Sequence, residues 1–347
     1  MKLRTSFGFP LFLCIALLSS STSVRAQSFL DAAKSQLGVA KTQLPTNPAA
    51  WLNSPPLTTE MLAGKAAFLY FFEEGCPRCR ERWPDIFEAA NQFQGKPVVF
   101  IAVNSGTPRN EVQRYATEVG LKWPVIVDTD RSFEKVAGLT NEISLQNIYQ
   151  ARGLLPDGSI QNASTDIAAS VPELLSDAKW RVEPAEVPEL LKPAWLQIEF
   201  GNFNAASALV KKNLSSPKAD IKSGAEKLLA AVAKERDAAI KAADDADAGG
   251  RKWEAFKLYT ALVLRFKTFD VPTEVHTKLR ELAVTEAVRN ELAAGKLWDG
   301  VARQLSPTAA PSKGALSQLQ RIVKQHPDTE AARHAQAVLD RAGGTSE

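Results

Sequence analysis

Runs of apolar residues alternate with more polar stretches through the first half of the chain. Residues 66–72 form an unbroken apolar run, which is typical of a strand buried on both faces. Residues 97–103 and 124–127 are apolar runs of the same kind and predict two further strands. Residues 147–155 predict a fourth strand. The turn sequence at 156–158 then predicts a hairpin with a short return strand.

Between these strands, apolar residues recur at the spacing of an amphipathic helix. Residues 80–94 predict one helix, and residues 131–137 predict a short one. Residues 108–119 predict a helix that begins with proline and has Thr107 as its N-cap. The order β-α-β-α-β-α-β-β predicts an α/β domain with a mostly parallel sheet and an antiparallel edge.

The second half of the chain is helical in pattern from residue 194 onward. Segments that begin at Phe203, at Trp253 and at Ala315 each place alanines at helix-crossing spacing. This texture is typical of paired antiparallel helices and resembles tetratricopeptide repeats. Phe203 and Trp253 lie 50 positions apart, whereas repeats of that family recur about every 34 residues. We therefore predict an all-α, tetratricopeptide-like helical domain rather than a regular array.

The N-terminal segment has the composition of an export signal. Lys2 and Arg4 precede an apolar run at 7–18, and small residues flank a cleavage point after Ala26. The run of about 12 residues is shorter than the roughly 20 that span a bilayer. We expect export to the periplasm or the exterior, with no integral membrane segment after cleavage.

Domain boundaries follow from these patterns. The predicted parts are a signal peptide at 1–26, a lead-in at 27–56, an α/β domain at 57–165, a linker at 166–193 and a helical repeat-like domain at 194–343. Cleavage removes Lys2, Arg4 and Arg25 and no acid, so the formal net charge falls from +3 to 0. A chain without net charge has no field to attract nucleic acid, so we expect no nucleic-acid partner.

Cysteine usage limits the chemistry further. The chain has three cysteines, and cleavage removes Cys14, which leaves Cys76 and Cys79. Two cysteines this close together cannot staple a scaffold. A structural zinc site needs four ligands, and no second CxxC or histidine pair accompanies them. We therefore expect neither a metal nor a cofactor.

The sequence Cys76-Pro77-Arg78-Cys79 follows the first predicted strand and opens the first predicted helix. Cys76 would lie near the helix N-terminus, where unpaired N–H groups and the helix dipole stabilise a thiolate. The thiolate is the nucleophile in disulfide exchange. Pro77 suits the first helical turn. Arg78, Arg80 and Arg82 add positive charge, and Glu73, Glu74 and Glu81 oppose it. Cys79, one turn on, is positioned to attack a mixed disulfide and release the partner.

Residues 66–84 resemble the active-site segment of the thioredoxin superfamily, and in particular the exported thioredoxin-like reductases and redoxins of bacteria. The matching features are the apolar strand, the CxxC, and Pro84 five residues after Cys79, where the family's helix kinks. Residues 122–128 are similar to the central part of redoxins, and residues 155–160 to their final hairpin.

The resemblance covers residues 57–165, about a third of the chain. It implies a thioredoxin-like fold in which Cys76 and Cys79 form a redox-active disulfide and act as catalytic residues. Its implied partners are protein thiols and disulfides, with no cofactor.

Several positions around the CxxC depart from this family. The family usually has tryptophan where this chain has Gly75, and many members have a buried acid where it has Tyr70. No proline occurs between Pro124 and Pro156, so a residue in 144–149 must take the place of the cis-proline that faces the CxxC. The residues expected to shape the site are Tyr70, Pro77, Arg78 and Pro84.

Two functions are consistent with these residues. The first is an exported thiol–disulfide oxidoreductase whose helical domain docks a protein partner. The second is a redox-inactive or weakly active thioredoxin-fold scaffold whose helical domain mediates protein–protein binding. A peroxidase is disfavoured, because the Pro-x-x-x-Thr-x-x-Cys arrangement of peroxidatic cysteines is absent before Cys76.

Overall fold

Residues 43–305 and 310–343 are described by a computed structural model, and the predicted leader at 1–26 lies outside these ranges. The chain divides into two units between Lys179 and Trp180. The first unit is α/β and the second is helical. This division into an α/β part followed by helices confirms the predicted fold class.

The first unit is built on a six-stranded mixed sheet with the strand order β1-β4-β3-β2-β5-β6. Its strands are β1 (Trp51–Leu52), β2 (Ala66–Phe71), β3 (Val98–Ser105), β4 (Val125–Asp128), β5 (Ala151–Leu154) and β6 (Ile160–Ala163). Its helices are α1 (Pro77–Asn91), α2 (Arg109–Glu118), α3 (Ser132–Val136) and α4 (Ile167–Leu174).

Strand β2 lies inside the sheet, between β3 and β5, and each of its six residues is buried. It pairs in parallel with β3 and antiparallel with β5, and β4 continues in parallel beyond β3. β1 and β6 add antiparallel strands at the two edges. The sequence predicts one antiparallel edge only, because the two residues of β1 are too few to form a periodic pattern.

Helix α1 packs on the sheet through aromatic rings. The ring centroid of Trp83 lies 5.5 Å from that of Phe72 and 5.3 Å from that of Phe87. The Nε1 of Trp83 donates a hydrogen bond to the Tyr115 hydroxyl at 3.1 Å. This buried cluster holds the first turns of α1 against the end of β2, which is where the CxxC lies.

Helix α4 lies within the stretch 166–193 that the sequence predicts as a linker. Its apolar side is buried in the core of the first unit. Gly153 of β5 leaves the space that α4 fills, because a Cβ there would lie 2.1 Å from a methyl carbon of Leu174. Pro172 lies inside this eight-residue helix and obscures its pattern in the sequence.

The second unit consists of helices that pack on their neighbours along the chain. They are α5 (Lys192–Glu199), α6 (Phe203–Asn213), α7 (Ala219–Ala248), α8 (Lys252–Arg265), α9 (Thr273–Ala283), α10 (Glu286–Ala302), α11 (Lys313–Gln325) and α12 (Glu330–Gly343). The rings of Phe203 and Phe266 stack at 4.9 Å in its core. Its likeness to tetratricopeptide repeats stays a prediction. Across residues 43–305 and 310–343, no helix combines the length and the apolar character that crossing a membrane requires.

Replacing Trp83 with alanine is expected to destabilise the first unit by about 3–5 kcal/mol, because the central ring of the aromatic cluster is lost. Hydrogen exchange of the β2 amides, followed by mass spectrometry at increasing urea, measures the free energy of unfolding of this unit. Glu88→Ala, at an exposed position of the same helix, is the control, with an expected change within about 0.5 kcal/mol. Equal changes in the two variants would contradict the role given to Trp83.

Candidate active site

The CxxC lies at the junction of β2 and α1. Cys76 is the N-cap residue of α1, and Pro77 is its first residue. The backbone N–H of Cys79 donates a hydrogen bond to the Cys76 Sγ at 3.2 Å. The N–H of Arg80 donates to the Cys76 carbonyl at 3.3 Å and closes the first helical turn. The Cys76 sulfur therefore faces the unpaired N–H groups and the positive dipole end of the helix.

Cys79 is the inner cysteine of the pair and is only 2% exposed. Burial, then the hydrogen bond with Cys76 and the charge of that sulfur, together raise the pKa of its thiol to about 12. The positive charge of Arg82 opposes this rise in the pKa. Both cysteines are free thiols in this structure. At neutral pH Cys79 is therefore a neutral thiol held beneath the sulfur of Cys76.

Tyr70 lies near the end of β2 and is 2% exposed. The pKa of its phenol is raised to about 12, mainly by burial, with a smaller opposing effect of Arg82 and small contributions from Cys79 and Tyr149. Its ring meets that of Trp83 edge-on at 5.5 Å. A neutral hydroxyl therefore fills the position where the resemblance leads one to expect an acid.

Tyr149 ends the stretch 144–149 that is expected to replace the cis-proline. Every peptide bond in the described ranges is trans. The N–H of Phe71 donates to the Gln150 carbonyl at 3.1 Å, which holds this stretch beside the end of β2. The Arg82 guanidinium lies 5.0 Å from the centroid of the Tyr149 ring, and Tyr149 is 46% exposed. An exposed aromatic residue thus stands beside the first turns of α1.

The remaining predicted site residues lie on the outer side of α1. Arg78 is exposed. Pro84 is also exposed and lies inside the helix, where it lacks the N–H that would bond to the Arg80 carbonyl. A Cβ added to Gly75 would meet no atom within 4 Å. The space that the family fills with tryptophan is therefore open here.

The loop before Cys76 is fixed by polar groups at the end of β3. Asn104 is fully buried, and its Nδ2 donates to the Phe72 carbonyl at 3.1 Å and to the Glu74 Oε2 at 3.0 Å. The Thr107 hydroxyl donates to the same carboxylate oxygen at 2.8 Å. These three hydrogen bonds fix the backbone that leads into the CxxC.

The sequence did not predict that Glu74, Asn104 and Thr107 form hydrogen bonds with one another at the site. The expectation that Thr107 caps α2 is wrong, because its hydroxyl is engaged by Glu74. The helix begins at Arg109, with Pro108 as an N-cap that makes no side-chain hydrogen bond. One signal was present in the sequence, since Asn104 is a polar residue at the end of an otherwise apolar strand.

Glu73 adds a second carboxyl group to this loop. Burial and, to a smaller extent, the negative charge of Glu74 raise its pKa to about 7, against the opposing charge of Arg131. Its Oε1 is buried without a hydrogen-bond partner among the described residues. At neutral pH this carboxyl group is therefore partly protonated.

Comparisons with known proteins bear on this unit. Residues 50–154 match the model of the AhpC/TSA family. The matched residues run from β1 to the end of β5 and include the CxxC.

Curated relatives match a shorter stretch. The thiol-disulfide oxidoreductase ResA of Halalkalibacterium halodurans is 34% identical over 67 residues, which are 19% of this chain and 38% of the relative. ResA of Bacillus subtilis is 33% identical over 70 residues, which are 20% of this chain and 39% of that protein. The chain thus spans about two fifths of the length of these curated relatives.

Solved structures with a similar chain path include a thiol:disulfide interchange protein of the thioredoxin family from Chlorobium tepidum TLS. It is 21% identical, with 39% of this chain and 97% of that chain covered and a TM-score of 0.32. The dsbF protein of MTB is 23% identical, with 38% and 98% covered and a TM-score of 0.31. The family match over residues 50–154 and the similarity to the ResA proteins support a thioredoxin-like fold for the first unit of this chain.

Proposed function

We propose that the protein is an exported thiol–disulfide oxidoreductase in which Cys76 is the nucleophile and Cys79 the resolving residue. The observation that carries this proposal is the hydrogen bond from the Cys79 N–H to the Cys76 Sγ at the start of α1. The matched ResA proteins are named thiol-disulfide oxidoreductases, which supports the same class of reaction.

In the reductive direction the reaction has two steps. The Cys76 thiolate attacks one sulfur of a partner disulfide, forms a mixed disulfide and releases the other partner sulfur as a thiolate. Cys79 then loses its proton and attacks the Cys76 sulfur, which forms the Cys76–Cys79 disulfide and releases the second partner thiolate. Two electrons pass from the dithiol to the partner. A second protein dithiol or a small thiol restores the reduced pair by the reverse reaction.

The proton of Cys79 needs an acceptor in the second step. The Tyr70 phenol lies near Cys79, and its raised pKa keeps it protonated at neutral pH, so it cannot take this proton. The departing partner thiolate becomes basic as it leaves and is the natural acceptor. Proton release from Cys79 and departure of the partner are therefore coupled.

The structural supports have separate roles in this scheme. Pro77 begins the helix whose N–H groups face Cys76, and Asn104 and Glu74 hold the loop before it. Tyr149 and Arg78 lie exposed near the pair, where a partner chain can contact them. Docking of a protein partner on the helical domain is also a prediction.

The reductase activity is tested with insulin, whose disulfide reduction by dithiothreitol is followed by turbidity. The wild-type protein is expected to accelerate this reduction, and Cys76→Ser is expected to lose the acceleration, because no nucleophile remains. Cys79→Ser is the matched control: it keeps the first step but accumulates a mixed disulfide, visible by mass spectrometry. If wild type and Cys76→Ser behave alike, the protein is the redox-inactive scaffold instead.

The raised pKa of Cys79 is tested in Cys76→Ser, where Cys79 is the single thiol of the mature chain. Burial, the largest cause of the shift, persists in this variant, so the pKa of the thiol is expected to stay above the ordinary cysteine value. Ultraviolet absorbance of the thiolate follows the titration, and the Cys76→Ser/Cys79→Ser double variant supplies the tyrosine background. Thiolate absorbance with a midpoint near the ordinary value of about 8.5 would show that burial does not control this thiol.

Export rests on the basic residues Lys2 and Arg4, the apolar run after them and the small residues before the cleavage point. N-terminal sequencing of the protein recovered from the exported fraction is expected to begin at Gln27. A protein that stays in the cytoplasm and still begins at Met1 would contradict this part of the proposal.

A further inference from the structure

The first two turns of α1 carry three arginines, of which one is neutralised within the fold. The Nη1 of Arg80 lies 2.9 Å from the Glu118 Oε2, and its guanidinium lies 4.9 Å from the centroid of the Tyr115 ring. Arg78 and Arg82 form no ion pair with any residue in the described part of the chain. Two cations without an ion pair therefore remain on this stretch of the helix.

These two cations lie on one flank of α1, next to the CxxC. Arg78 and Arg82 are four positions apart, and residues at this spacing are neighbours on a helix surface. Arg82 is close enough to Cys79 for its charge to act on the thiol. Its guanidinium is held over the exposed ring of Tyr149. The three side chains form a surface beside the dithiol, which we call the Arg78–Arg82–Tyr149 surface.

The nearby acids form no ion pair with Arg78 or Arg82 within the described ranges. The Glu74 carboxylate accepts hydrogen bonds from Asn104 and Thr107 at the end of β3. The charges that act on Glu73 come from Glu74, Arg131 and Glu134. Asp85 and Glu81 are exposed on α1 and form no ion pair within the described ranges, and Asp85 lies one turn beyond Arg82 from the CxxC.

We propose that the Arg78–Arg82–Tyr149 surface binds acidic side chains that flank the reacting cysteine of a partner, so that exchange favours acid-flanked disulfides. This inference rests on the proposed oxidoreductase function and names its substrate class. Arg78 is exposed and Arg82 is half-buried at the surface, so the expected preference for an acid-flanked over a lysine-flanked substrate is about 3- to 10-fold at low ionic strength. Salt should reduce the preference, because it screens exposed charges.

The test uses two peptides that differ only in the residues beside one cysteine, glutamates in one and lysines in the other. Each cysteine carries 2-mercaptoethanol as a mixed disulfide, and the reduced protein converts it to two thiols while forming the Cys76–Cys79 disulfide. The measured quantity is the ratio of the two second-order rate constants. The ratio cancels any change that a substitution makes to the intrinsic reactivity of the cysteines.

Four variants test whether the charges of Arg78 and Arg82 determine this ratio. The ratio is expected to fall to about 1 in Arg78→Ala/Arg82→Ala, to invert in Arg78→Glu/Arg82→Glu and to stay within about twofold of wild type in Arg78→Lys/Arg82→Lys. Lys96→Ala is the matched control and should leave the ratio unchanged. It removes one exposed positive charge beyond the far end of α1, whose 15 residues span about 22 Å.

The possible failures are distinguishable. A wild-type ratio of 1, or a ratio unchanged in the Arg78→Ala/Arg82→Ala variant, would overturn the docking proposal while both peptides are still reduced. A wild-type protein that reduces neither peptide would overturn the oxidoreductase function, and the docking proposal with it. A ratio that falls equally in Lys96→Ala would show a general effect of net charge and overturn the assignment to this surface.

Discussion

The site depends on one constraint: β2 is buried along its whole length and ends at Phe71, and α1 begins six residues later at Pro77. The chain must turn sharply between them, at the carboxyl end of β2. Cys76 thereby becomes the N-cap of α1, with its sulfur against the helix N–H groups, while Cys79 turns into the core. The burial that stabilises the fold is also what raises the pKa of Cys79 and keeps it a neutral thiol.

Two different kinds of contact hold the CxxC in this position. On one side, Asn104 and Thr107 bind the Glu74 carboxylate and fix the incoming loop through buried hydrogen bonds. On the other side, Arg82 rests on the exposed ring of Tyr149. The first set of contacts is inaccessible to a partner and serves to position the cysteines. The second is exposed, so a partner that reaches the Cys76 sulfur also meets charge and an aromatic face.

The sequence predicted the features that depend on local pattern. The apolar run at 66–72 and the CxxC located the central strand, the helix start and both cysteines. Features that depend on contacts between distant residues were not predictable, such as the bond between Glu74 and Asn104, which lie 30 positions apart. Only the strand register brings such residues together. The absence of a proline indicated that some residue in 144–149 replaces it, but only the fold shows that Tyr149 is the one beside Arg82.

The most direct test of the account is a redox titration of the full chain. The protein is equilibrated in mixtures of reduced and oxidised dithiothreitol, the free thiols are alkylated, and the products are quantified by mass spectrometry. The account predicts one reversible two-electron transition in which Cys76 and Cys79 lose their thiols together and form a disulfide with each other. Two thiols that stay alkylatable at every ratio of the buffer would contradict it.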